Sequence, residues 1–160
     1  MRRRLKAGAL VGAIAVACCR SFQASVPPRP ITPDMSGPLA AAEQLLNAMR
    51  KRDTTAIRAV VHPTLRVSTA LDASGGSVLS LEGDDFVKVV GRATGPPWNQ
   101  RLLSPEVRMD GTLATVWSLY RFDRGEAFDH CGAIALHLMR ISGVWKITQL
   151  SDTHRQTNCD

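Results

Sequence analysis

The clearest pattern in this chain is the alternation of apolar and polar residues along its last third, from about residue 103 to residue 155. Successive side chains of a strand point to opposite faces, so this alternation predicts half-buried strands. Turn residues interrupt it at Asp110-Gly111, Asp123-Arg124-Gly125 and Ser142-Gly143. The pattern therefore predicts four consecutive strands in a meander, over residues 103–109, 113–122, 128–140 and 144–152.

The preceding region has apolar residues at helical spacing instead. Three helices are predicted, beginning at Pro38, at Asp53 or Thr54, and at Asp84 or Asp85. Short strands are predicted at 66–71 and 78–81, and residues 95–99 are expected to form a rigid loop. Helices followed by a long curved antiparallel sheet predict an α+β fold shaped like a cone, with a mouth and an interior.

The third meander strand places bulky apolar side chains on one face, namely Phe128, Ile134, Leu136 and Leu138. We expect this face to meet the helices. His130 shares it and should therefore lie on the concave side of the sheet. Asp129 directly precedes His130, so strict alternation sends its side chain to the opposite face.

Four residues are candidates for lining a ligand pocket: His130, Trp117, Arg121 and Trp145. A histidine titrates near neutral pH, so His130 could act as a general acid or base in an apolar cup; the alternative is a purely structural histidine. Trp117 and Arg121 share a strand face and could hold an anionic ligand against an aromatic wall. The alternative is an exposed arginine whose stem packs on the sheet.

The N-terminus resembles an export signal. Residues 1–17 combine four basic residues with a short apolar stretch and a small-x-small cleavage site before Cys18. The site suits lipidation of Cys18 or ordinary secretion, and residues 18–36 form a proline-rich tether. Localisation is then periplasmic or membrane-anchored as a lipoprotein, or secreted, with membrane contact only through a lipid on Cys18.

Removal of the signal changes the charge of the chain. The 20 basic and 14 acidic residues give a net charge of +6, but without residues 1–17 the balance is 16 to 14. A nucleic-acid partner calls for a dense basic patch on the folded domain, and the sequence has none. We therefore expect no nucleic-acid partner.

The chain contains four cysteines: Cys18, Cys19, Cys131 and Cys159. In an oxidising compartment Cys131 and Cys159 are a candidate disulfide that would fix the C-terminal tail to the sheet. The alternative is two unpaired thiols. The sequence has no Cys-x-x-Cys and no histidine-rich cluster, so we expect no metal site.

Three elements carry a family resemblance: Asp129-His130-Cys131-Gly132, Gly143-Val144-Trp145-Lys146-Ile147, and Asp152-Thr153-His154-Arg155 followed by Cys159. They resemble exported SnoaL-like members of the nuclear transport factor 2-like superfamily, some of which carry the label lumazine-binding. The resemblance covers roughly residue 39 to the C-terminus. It implies a cone-shaped, cystatin-like domain over residues 37–160 with an open pocket, commonly dimeric through the outer sheet face.

The resemblance implies no single activity and no cofactor, because members include ketosteroid isomerases, polyketide cyclases, dehydratases and binders without catalysis. The ketosteroid isomerase set of a carboxylate base and an oxyanion donor cannot be matched here, where Tyr120 is the only tyrosine. Asp152, His154 and Arg155 lie at or past the end of the last strand and are expected to be rim or salt-bridge residues.

Three functions follow as hypotheses. The leading one is an exported module that binds a small, mainly apolar molecule, as a homodimer. The second is an isomerase, cyclase or dehydratase with His130 as acid–base residue. The third is a dimerisation or protein-interaction domain that uses the outer sheet face.

Overall fold

A computed structural model describes residues 35–71 and 76–159. Its three helices are α1 (Ser36–Lys51), α2 (Thr54–Val60) and α3 (Gly83–Arg92). Its seven strands are β1 (Val61–Leu71), β2 (Ser77–Glu82), β3 (Trp98–Leu102), β4 (Glu106–Asp110), β5 (Leu113–Arg124), β6 (Ala127–Ile141) and β7 (Val144–His154). The expected signal peptide, nearly all of the tether and Cys18 lie outside the described residues. Within those residues, no helix has the length and apolar character needed to cross a membrane.

The strands form one sheet in the order β2-β1-β7-β6-β5-β3, and β4 also pairs with β5. The predicted α+β fold, with helices packed on a curved sheet, is confirmed. The sheet is mixed rather than wholly antiparallel, because β1 runs parallel to β7. These two strands are far apart in the chain, so no hairpin turn dictates their relative direction.

The first meander strand differs from its prediction. The structure divides the region into β3 and β4, which pair with opposite halves of β5. Pro105 lies between them and has no backbone N–H with which to continue a ladder. Residues 98–102, expected partly as loop, therefore form a strand and bring Trp98 onto the sheet.

The core lies between the helices and the concave face of the sheet. Leu45, Ile57 and Val90 of the helices are fully buried there, as are Val116 and Leu136 of the sheet. Apolar burial of this kind is the main favourable contribution to folding. The buried face of β6 includes His130, as the alternation predicted.

Two irregularities in the sheet change which side chains face the core. Between β5 and β6, Phe122 lies opposite His130 and Asp123 opposite Phe128, so Asp129 is an extra residue. Between β6 and β7, His137 lies opposite Gln149 and Leu138 opposite Ile147, with one extra residue between them. Each extra residue shifts the in-and-out alternation by one position.

The first bulge explains why one prediction is wrong. Phe128 was expected on the concave face with His130, but its side chain is 40% exposed. The Arg121 guanidinium lies 4.7 Å from the centre of its ring, on the outer side of the sheet. Because Asp129 is an extra residue between them, Phe128 and His130 point to opposite faces of the sheet.

Candidate functional site

The two most specific sequence elements, residues 129–132 and 152–155, meet in space at one end of the sheet. The Cys131 N–H donates to the Arg155 carbonyl and the Arg155 N–H donates to the Cys131 carbonyl, both at 2.9 Å. The predicted disulfide between Cys131 and Cys159 is present, with Cα atoms 5.7 Å apart. The disulfide and the backbone bonds hold the C-terminal tail against β6.

Gly132 makes this close approach possible. A Cβ atom at this position would lie 1.7 Å from the Thr153 carbonyl oxygen and 2.9 Å from the Tyr120 ring. No side chain can occupy that space, so the position requires glycine. The Thr153 hydroxyl oxygen also accepts a hydrogen bond from the Ala133 N–H at 3.0 Å.

A cavity of about 210 Å³ opens beside this junction. Its walls are mostly apolar, with side chains from α1, α3 and six strands, among them Met49, Val67, Phe86, Trp98, Phe122, Ile134 and Leu150. Three groups that can exchange protons lie among them: His130, Asp152 and His154. An apolar cavity with a few convergent polar groups is the usual form of a small-molecule site.

His130 is held on three sides by aromatic rings. Its imidazole stacks on Phe122, with centroids 4.5 Å apart, and on His154 at 3.9 Å. The edge contact with Tyr120 has a centroid distance of 5.7 Å. Both ring faces are therefore covered, and only the edge of His130 is free to meet a ligand.

Asp129 lies against that ring, which corrects the expectation that the two side chains point to opposite faces. Its Oδ1 atom is 2.7 Å from His130 Nδ1. The bulge at Asp129 interrupts strict alternation and allows neighbouring residues to bond. Asp129 Oδ2 also accepts a hydrogen bond from Arg124 Nε.

The charge states of this pair follow from its surroundings. Hydrogen bonds from His130 and Arg124 hold the pKa of Asp129 below its ordinary value, so Asp129 is ionised at neutral pH. Burial, helped by the adjacent His154, lowers the pKa of His130 even though Asp129 opposes the shift. At neutral pH His130 is therefore uncharged.

A second hydrogen-bonded group lies behind His130. The Tyr120 hydroxyl is within bonding distance of Asp152 Oδ2 (3.1 Å) and of the Thr153 carbonyl (2.9 Å). His154 Nε2 lies 3.0 Å from the same Asp152 oxygen. Burial, and then the Asp152 charge, raise the pKa of Tyr120 above its ordinary value, so the phenol stays protonated as a donor.

Two buried polar atoms of cavity-lining residues have no hydrogen-bond partner among the described residues. They are Oδ1 of Asp152 and Nε1 of Trp98. An unsatisfied buried polar group costs about 1–3 kcal/mol, so such atoms are rare in folded proteins. Unsatisfied groups beside a cavity are typical of a functional site rather than of a filled core.

Asp152 and His154 were expected as rim or salt-bridge residues; they lie 3.0 Å apart as a pair, and both line the cavity. The strand continues to His154, two residues beyond its predicted end. The bulge in β7 puts Leu150, Asp152 and His154 on the concave side. Two of the elements that carry the family resemblance each contain an aspartate and a histidine. This repeated pair is the sequence signal that could have placed Asp152 and His154 in the site.

The structure does not bring the other three pocket candidates to this cavity. Trp117 is 44% exposed on the outer face, between Glu106 and Ala135 of the neighbouring strands. Trp145 lies against Gly37 at the start of α1, with the Arg140 guanidinium 5.6 Å from its ring centre. Arg121 is also remote, so of the four candidates only His130 lines the cavity.

Arg121 instead borders a larger, open groove of about 860 Å³ between α1 and strands β3 and β5. Its side chain and that of Arg101 both pair with the buried carboxylate of Asp123, at 2.9 and 3.1 Å. Hydrogen bonding from Arg121 is the main reason that the pKa of Asp123 is lowered. The groove is wide, Arg101 and Arg121 are paired with Asp123, and its third guanidinium, that of Arg50, bonds to the Asn47 amide oxygen, so the smaller cavity is the better candidate site.

Within residues 35–71 and 76–159, no group of three or more histidine, cysteine, aspartate or glutamate side chains is placed to hold a metal ion. The arrangement around His130 offers a different chemistry. A neutral imidazole backed by an ionised carboxylate can accept a proton or a hydrogen bond inside an apolar cavity.

No protein-family model matches the chain, and no curated protein matches it in sequence. Solved structures match it in fold. A nuclear transport factor 2-like protein of unknown function from Pseudomonas putida is 21% identical, with a TM-score of 0.61 over 74% of this chain and 84% of that one. A "putative dehydratase" of the same family from Streptomyces avermitilis is 16% identical, with a TM-score of 0.62 over 78% and 97%.

A third structure is a protein of unknown function with a cystatin-like fold from Nostoc punctiforme, 10% identical, with a TM-score of 0.61 over 78% of this chain and 92% of that one. At these identities the likeness shows the fold alone. The chain has the cystatin-like α+β fold of nuclear transport factor 2-like proteins.

Proposed function

We propose that the protein binds a small, mainly apolar molecule in the cavity beside His130. The observation that carries the proposal is the combination of apolar walls with two buried polar atoms of lining residues that have no described hydrogen-bond partner, Asp152 Oδ1 and Trp98 Nε1. A structural core of this size would be expected to fill the space and pair those atoms. The volume of about 210 Å³ lies below the range of about 300–1,000 Å³ that drug-sized ligands occupy.

The test is a titration of the full-length protein with 4-methylphenol, followed by the methyl resonances of Ile134 and Leu150. Saturable shifts at these lining residues are expected. Val89→Trp should abolish them, because Val89 is half exposed and borders the cavity, so a larger side chain blocks its mouth. Val144→Trp, at an equally exposed position away from the cavity, is the matched control. Shifts that survive Val89→Trp would place binding elsewhere and contradict the proposal.

A second candidate function is acid–base catalysis, favoured by the contact of His130 with Asp129. A neutral histidine oriented by a carboxylate is a general base at neutral pH. Exchange of the α-protons of 4-methylcyclohexanone for deuterium would detect such a base. The rate should rise sigmoidally with pH and fall to that of buffer in His130→Phe; no exchange above buffer in the unmodified protein would reject this function.

We also propose that the protein is exported and that it forms a homodimer. Leu113, Trp117 and Met139 form an exposed apolar group on the outer sheet face, which supports contact with a second copy. Sedimentation should then show a dimer that Trp117→Glu dissociates, and a monomeric unmodified protein would refute it.

The disulfide supports an oxidising compartment. Cell fractionation, with Cys18→Ala as the lipidation variant, would test the location.

A further inference from the structure

The cavity-lining residues include two acceptor atoms without a described hydrogen-bond partner, Asp152 Oδ1 and His130 Nε2, and one such donor, Trp98 Nε1, and this bears on the kind of molecule the cavity takes. We propose that it selects a neutral molecule whose polar group is a hydroxyl, such as a phenol or an alcohol, and that this hydroxyl donates to Nε2 of His130. The inference rests on the proposed binding function and specifies the class of ligand.

The first step is the position of the proton on His130. Asp129 accepts hydrogen bonds from Arg124 and lies 2.7 Å from His130 Nδ1. An ionised carboxylate can only accept, so Nδ1 must carry the hydrogen. A neutral imidazole has one N–H, and Nε2 is then left with a lone pair.

The second step is the availability of that lone pair. Phe122 and His154 cover the two faces of the imidazole, and no described residue bonds to Nε2. The ring lines the cavity, so its free edge is where a ligand can bond. A ligand that brings a donor satisfies the nitrogen, whereas one without a donor leaves it desolvated and unpaired.

The third step is the charge of the surroundings. The charged and titratable groups around His130 are Asp129 beside it on β6, Arg124 and the protonated Tyr120 from β5, and Asp152 and His154 from β7. Arg124 is paired with Asp129, and Asp152 accepts from Tyr120. Among the described residues that line the cavity, the one guanidinium, that of Arg124, is paired with Asp129, and with His130 uncharged the carboxylates of Asp129 and Asp152 oppose an anionic ligand.

The experiment compares three probes of nearly equal size on the full-length protein: 4-methylphenol, 4-fluorotoluene and 4-methylbenzoate. Affinities are measured by the saturable methyl shifts of Ile134 and Leu150. The phenol should bind about tenfold more tightly than the fluorine analogue, which corresponds to one hydrogen bond to a buried acceptor. The benzoate should bind more weakly than the phenol.

His130→Phe keeps an aromatic ring between Phe122 and His154 and removes the Nε2 acceptor together with the Nδ1 hydrogen bond to Asp129. In this variant the phenol and the fluorine analogue should bind equally. Trp117→Phe, on the outer face, should keep the tenfold preference. A preference that persists in His130→Phe would overturn the role of His130.

Nitrogen-15 spectra of the histidine rings supply a readout that a merely structural His130 would not move. Nδ1 should be protonated in the free protein, and the Nε2 resonance should shift on addition of the phenol alone. The opposite tautomer, equal affinity for the phenol and the fluorine analogue, or tighter binding of the benzoate would each overturn the inference. Binding of none of the three probes would instead count against the cavity as a binding site.

Discussion

Substitution of Gly132 by alanine tests whether the two elements of the site must lie in close contact. The added Cβ would lie 1.7 Å from the Thr153 carbonyl oxygen, a backbone atom that cannot swing away. Residues 153–155 must then separate from β6. Four hydrogen bonds depend on that contact: Tyr120 to the Thr153 carbonyl, Ala133 to the Thr153 hydroxyl, and the two between Cys131 and Arg155.

Each of these bonds contributes about 0.5–1.5 kcal/mol net, so losing all four costs about 2–6 kcal/mol of unfolding free energy. For a chain of this size that corresponds to a melting temperature lower by about 4–24 °C. Thermal and urea denaturation with the disulfide intact provide the assay.

Gly111→Ala is the control for this variant. Gly111 has a φ of +59° but nothing lies within 4 Å of its added Cβ, so alanine there costs only backbone strain of about 1–2 kcal/mol. If Gly132→Ala proved no less stable than Gly111→Ala, the close approach of the two elements would not be as the structure describes it.

Three further predictions concern the same region. The pKa of His130 lies below its ordinary 6.5 in the folded state, so the unfolded chain takes up a proton first as the pH is lowered. The unfolding free energy should therefore fall as the pH drops through about 6.5. Urea denaturation at a series of pH values should show this fall, and His130→Phe should remove it. Reduction of the disulfide between Cys131 and Cys159, which are 28 residues apart, should cost about 3–4 kcal/mol in the chain-entropy model, measured by denaturation with and without reductant. Tyr120→Phe should cost about 1–3 kcal/mol in the same assay, because Asp152 loses a donor while staying buried; an unchanged midpoint would contradict the hydrogen bond.

The sequence predicted the elements of the fold well because their signals are local. Helical spacing and strand alternation identified α1, α3 and the last three strands, and the same alternation put His130 on the concave face. The pairing of Cys131 with Cys159 followed from the count of cysteines and the expected compartment. These features depend on residue type and spacing, which the sequence shows directly.

The candidate site was predicted only in part, because it depends on two bulges. The extra residue Asp129 brings its carboxylate onto His130 and moves Phe128 to the outer face. A bulge leaves no mark on residue composition, so strict alternation assigned both residues to the wrong side. Trp98 was missed for another reason: the prolines around it indicated a loop, and only its pairing with Arg124 shows the strand.

The most direct test of the proposed function is a nitrogen-15 and methyl NMR titration of the full-length protein with 4-methylphenol. Saturable shifts are expected at Nε2 of His130 and at the methyl groups of Ile134, with contacts from the phenol ring to both. Shifts confined to the open groove beside Arg101 and Arg121, or no saturable shift at all, would contradict the assignment of the cavity as the binding site.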